Sequence, residues 1–195
     1  MTSVTPLSRP ATMASALRTL YFVRFGFAVV WAILVAVTAT AITPLVAVLL
    51  VIYPVFDAIA AVIDHRASRG TRSSALLYVN MSLSALAAIG LAFAATSGRS
   101  AVLLVWGLWA IAAGAVQLIV AVARRSLGGQ WPMILSGGIS VLAGLAFALQ
   151  SGGASASLVG VAGYATLGGV FFLVSALRLR RTARTDSTQQ TDNNR

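Results

Sequence analysis

Six stretches of about twenty apolar residues run through this chain, near residues 20–41, 44–63, 74–96, 101–123, 131–149 and 156–177. Each is long enough for a helix to cross roughly 30 Å of hydrocarbon. Each is bounded by Gly, Ser, Thr, Pro or Arg. Where water is absent a backbone must satisfy its own hydrogen bonds, so stretches of this kind become helices. A spanning β-barrel would alternate apolar and polar residues over ten-residue segments, and the sequence does not.

Composition agrees. Of the 195 residues 58% are hydrophobic and only 9% charged, whereas a soluble domain carries roughly a quarter charged residues. So little polar surface cannot cover a soluble globule, and so much apolar surface excludes a disordered chain. The expectation is an all-α integral membrane protein, a bundle of six transmembrane helices over residues 20–179. A mostly disordered arm (1–19) precedes it and a disordered polar tail (180–195) follows it. With no cysteine, a disulfide, a thiolate metal site and a covalent haem are excluded.

The net charge of +10 comes from arginine alone; the chain has no lysine and no glutamate. A nucleic-acid surface would gather its arginines on one folded face. Here they lie in short runs between apolar stretches, so no nucleic-acid partner is expected. Arg9 and Arg18 precede the first stretch; Arg66, Arg69 and Arg72 follow the second; Arg124 and Arg125 follow the fourth; and Arg178, Arg180, Arg181, Arg184 and Arg195 end the chain. Arg99 alone lies among the intervening loops. The positive-inside rule then puts both termini in the cytoplasm of a cell (plasma or inner) membrane, with the arginine loops facing anionic lipid headgroups. It also requires an even number of spans. The competing reading, a signal peptide cleaved near Ala39-Thr40-Ala41, has too long an apolar stretch and leaves an odd number.

The string Gly-Leu-Ala-Phe-Ala occurs at 90–94 and again at 144–148. Aligning the copies sets Ser84 against Gly138, and by extension Gly26 and Ala32; Tyr53, Trp109 and Tyr164 also coincide, as do Ala58, Gly114 and Gly169. The chain therefore reads as three repeated helical hairpins, at about 20–66, 74–125 and 131–179, related by rotation about the membrane normal. Small residues dominate the repeat. Ser136, Ser140, Gly144 and Ala148 recur every four residues; Gly107 and Gly114 lie a heptad apart, and Gly160 and Gly168 two turns apart. Lipid gives helices no hydrophobic reason to associate, so close approach at Gly26, Gly90, Gly107, Gly114, Ser136, Ser140, Gly144, Gly160, Gly168 and Gly169 is the expected packing device. Association into a homo-oligomer is left open.

The segments VIYPVFDAIAAV, VWGLWAIAAGAVQLIVAVARR, WPMILSGGISVLAGLAF and GYATLGGVFFLVSALRLRR carry a resemblance over about residues 20–180. With an aromatic, then an acidic or small residue and glycine, then an alanine-rich run ending in arginine, the chain resembles the HdeD-like membrane proteins. Gly137 to Gly144 is similar to that family's odd-helix pattern of small residues. Ala58 stands where many members have glycine. The resemblance implies a non-enzymatic two-helix-repeat protein of unsettled role. The family's name-giving member is linked to acid resistance, which implies envelope or stress physiology.

Four strongly polar side chains fall inside the apolar stretches: Arg24, Asp57, Asn80 and Gln117. At 1.5 Å per residue, Arg24 lies about 6 Å, Asn80 and Gln117 about 9 Å and Asp57 about 10 Å from the cytoplasmic helix ends. All four share one layer. A charge at membrane depth needs a partner or water, so an Arg24–Asp57 ion pair facing the interior is expected; the alternative is that Arg24 snorkels to the headgroups. Pro54 should kink the second helix and free the Leu50 carbonyl. Tyr21 and Trp131 read as interfacial anchors, and Trp31, Trp106 and Trp109 as packing residues. No cofactor or metal motif is present, His65 being a lone loop histidine. A small proton-coupled carrier using Asp57 and Arg24 is the rival function, although Pro54 has no counterpart in the other hairpins. An enzyme would have few acid–base or nucleophilic groups to work with.

Overall fold

The computed structural model describes residues 9–67, 74–123, 131–153 and 156–192. These form six helices: α1 (Arg9–Thr38), α2 (Pro44–Ala67), α3 (Ser74–Ser97), α4 (Arg99–Ala123), α5 (Trp131–Ser151) and α6 (Val159–Asp192). All six are long and apolar enough to cross a membrane. The described residues contain no strand. Arg69, Arg72, Arg124, Arg125 and Arg195 lie outside the described residues.

Local chemistry sets the helix ends. Thr43 caps α2 by accepting the Val46 N–H at 3.3 Å, and Pro44 follows at the first helical position, where its missing N–H costs nothing. Gly98, the one described residue with left-handed backbone (φ 107°), turns the chain from α3 into α4 within a single residue. Arg99 then reaches the Thr40 carbonyl at 3.4 Å, joining the α1–α2 and α3–α4 corners at one end of the bundle.

Two boundaries differ from the sequence expectation. α1 begins at Arg9, and α6 continues through 180–192, where composition alone predicts disorder. Extending an existing helix avoids the cost of nucleation, and the Ala, Leu, Met and Arg in these flanks are good helix formers.

Each helix contacts its neighbours in sequence, and α6 closes onto α1, so the six form a ring. Contact is closest for α4–α5, α6–α1 and α2–α3, weaker for α3–α4 and α1–α2, and least for α5–α6. The tight seams thus fall between the hairpins read from sequence rather than inside them. The centre holds Trp31, Trp106, Leu50, Leu91 and Leu103, all essentially inaccessible. Large apolar side chains such as Val37, Phe93, Leu142 and Leu149 point outward, the arrangement suited to lipid.

Glycines explain the tightest seam. A Cβ on Gly107 would lie 2.6 Å from the Gly144 carbonyl oxygen, and one on Gly114 would lie 2.8 Å from that of Gly137. The reciprocal positions are equally crowded. Gly90 faces Val105 across α3–α4, Gly160 faces Phe147 across α5–α6, and Gly169 faces Ala28 and Phe25 across α6–α1. Gly168 meets only the Tyr53 hydroxyl, at 3.9 Å. Two sequence assignments need correction. Gly26 is exposed with nothing within 4 Å of its Cβ position; Ala28, two residues on, makes the contact to α6 instead. On α5 the four-residue run holds for Ser140, Gly144 and Ala148, which lie against Gly114 and Gly107, whereas Gly137 rather than Ser136 makes the next close approach to α4. Gly26→Ala is accordingly expected to leave thermal stability unchanged or slightly raised, since alanine is the better helix former; a drop in the melting temperature followed by circular dichroism would refute the outward placement.

Candidate functional site

Asp57 gathers groups from three helices. Arg24 of α1 donates to Asp57 Oδ1 at 2.5 Å and to the Asp57 backbone carbonyl at 3.4 Å. On α3, Ser84 Oγ donates to Asp57 Oδ2 at 2.8 Å and Asn80 Nδ2 to the same oxygen at 3.3 Å. The four-residue spacing of Asn80 and Ser84 puts both on one helix face. Behind the guanidinium, the Phe172 ring of α6 lies 4.5 Å from Arg24 Cζ, a cation–π contact. Tyr21 packs on the same ring at 6.0 Å. The side chains of Arg24 and Asp57 are 11% and 23% exposed, low enough for their charges to act on each other with little screening. The cluster ties α6, α1, α2 and α3 together.

Of the four polar residues read from sequence, Arg24, Asp57 and Asn80 meet. Gln117 does not: its side-chain amide donates to the Met133 carbonyl at 3.1 Å, joining α4 to the start of α5. Arg24 turns toward Asp57 rather than to the headgroups. Ser84, fully buried, is the member the sequence reading missed. The sequence presents it only as a small repeat position, because a serine in a membrane helix can satisfy its hydroxyl on its own backbone; its spacing from Asn80 is the available signal. Phe172 was missed too, one aromatic among many.

An aromatic cluster lies one turn earlier on α2. The Tyr53 ring contacts Trp31 at 4.6 Å, Trp106 at 5.5 Å and Trp109 at 6.1 Å, and Trp106 stacks on Trp31 at 5.4 Å. The Trp31 indole N–H donates to the Leu49 carbonyl at 2.6 Å. That carbonyl is the neighbour of the Leu50 oxygen, which Pro54 deprives of its usual donor. Tyr164, packed against the same core, donates to Ser140 Oγ at 3.1 Å, linking α6 to α5 where the two helices otherwise touch least.

Six helices apolar enough to span a bilayer, four of them tied by a charged interhelical cluster, define a multi-pass α-helical membrane protein. No protein-family model, curated protein or solved structure matches the chain.

Proposed function

We propose that this is a non-enzymatic multi-pass membrane protein of the HdeD-like type, serving envelope or acid-stress physiology, in which the Asp57 cluster locks the helices together. The observation that carries this reading is that both carboxylate oxygens are engaged across helices: Oδ1 by Arg24 and Oδ2 by Ser84 and Asn80. A group engaged in this way serves cohesion. In the same reading the chain is built of three repeated hairpins and sits in a plasma or inner membrane with both termini cytoplasmic. Its arginines then meet anionic headgroups. Self-association through its remaining small-residue faces belongs to the same proposal.

A small proton-coupled carrier is the second reading, favoured by one feature: Asp57 keeps 23% of its side chain accessible at membrane depth. Asp57→Asn separates the two, since it removes the titrating proton while nearly keeping the shape. In proteoliposomes with an imposed pH gradient, wild type and variant are expected to show the same background proton flux, with only the melting temperature lowered. A wild-type flux above that of empty liposomes that disappears in Asp57→Asn would replace the lock with the carrier.

A further inference from the structure

Two indole N–H groups in the bundle centre, those of Trp106 and Trp109, are buried and meet no acceptor among the described residues. Trp106 is inaccessible and Trp109 only 9% exposed. They lie three residues apart on α4, with ring centroids 5.4 Å from each other. The third indole of the cluster, Trp31, has a backbone acceptor, so aromatic packing here does not in itself deny an N–H its partner. Burying a donor without an acceptor is unfavourable, and most of all in a membrane, where lipid offers no substitute.

The neighbouring groups are suited to a small polar guest. The Tyr53 ring touches both tryptophans, and its hydroxyl faces Gly168, where a hydrogen replaces a side chain. Tyr53 and Asp57 are four residues apart on α2, hence on the same helix face. We propose that the bundle centre is a binding site for water, held by the Trp106 and Trp109 N–H groups as donors. A water molecule supplies the acceptor each indole lacks and still has two protons to donate onward. Buried water of this kind makes the core a hydrated compartment one turn from the Asp57 carboxylate. This goes beyond the lock, which requires only the direct contacts around Asp57.

The chain has four tryptophans, which makes the test direct. The full chain, labelled with ¹⁵N-tryptophan in lipid bilayers, gives four indole N–H signals in proton-detected solid-state NMR. Transfer of magnetisation from water to each then reports contact with water. Trp131, 78% exposed, is the hydrated standard, and Trp31, bonded to the Leu49 carbonyl, the dry one. Trp131→Phe, at an exposed position that leaves the core intact, removes the standard and leaves three signals. Two of these three are expected to build up from water at least several-fold faster than the third. If none or only one does, the two-donor water site is overturned, and the indole N–H groups rest on neighbouring aromatic faces.

Discussion

Gly144→Ala is expected to cost about 1–3 kcal/mol of stability, the usual range for overpacking an already filled interior. The added Cβ would lie 2.6 Å from the Gly107 carbonyl oxygen and 2.8 Å from the Ile111 nitrogen and its Cγ1. Two of those three atoms are backbone, so no side-chain rotation relieves the clash, and α4 and α5 must separate along their length. Separation is damaging here because helix association in lipid rests on close contact rather than on expulsion of water. Gly107→Ala, clashing with the Gly144 carbonyl and the Ala148 nitrogen, should behave alike. Combining the two should lose less than their sum, since once the helices have parted the second methyl finds the space open. The measurement is thermal unfolding in detergent followed by circular dichroism, with Gly26→Ala as the control outside any seam. A melting temperature for Gly144→Ala equal to that of wild type would remove the backbone contact from the fold.

That seam shows how far sequence goes. The heptad of Gly107 and Gly114 is legible, as are six spans whose ends match the helices within a few residues except at the start of α1 and the end of α6. On α5 the four-residue run holds through Ser140, Gly144 and Ala148 but not at Ser136, where Gly137 makes the contact instead, because several small residues crowd that helix and only its partner selects among them. The polar layer divides in the same way. Depth follows from counting residues along a helix, and it placed Arg24, Asp57, Asn80 and Gln117 together. Direction around the helix axis does not follow from counting, and Gln117 turns to the start of α5 while Ser84 turns to Asp57. Gly26 fails for the same reason: a small residue reveals that a helix could be approached, and nothing in its own sequence says from which side.

Asp57→Ala is expected to be the most damaging single change at the charged cluster, costing about 3–5 kcal/mol, the range seen when one partner of a buried pair is removed. The loss of attraction is the smaller part of this. Arg24 would remain in the interior with only the Phe172 ring beside its charge, and Ser84 and Asn80 would lose their common acceptor. Asp57→Asn should cost less, because the amide oxygen can still accept from Ser84 or Arg24. The decisive comparison is the double replacement Arg24→Met with Asp57→Leu. It removes both charges and fills similar volume with apolar atoms, a change that in other buried pairs is neutral or stabilising. Ser84 can then turn its hydroxyl to its own helix backbone, and only Asn80 is left in need of a new partner. If the pair serves cohesion alone, the double variant should recover most of the stability lost in Asp57→Ala, and the thermal-unfolding cycle over wild type, both singles and the double should give a coupling energy of at least about 1 kcal/mol. Additive losses across the cycle would mean that Arg24 and Asp57 do not act on each other, and the lock would have to be assigned to Ser84 and Asn80 instead.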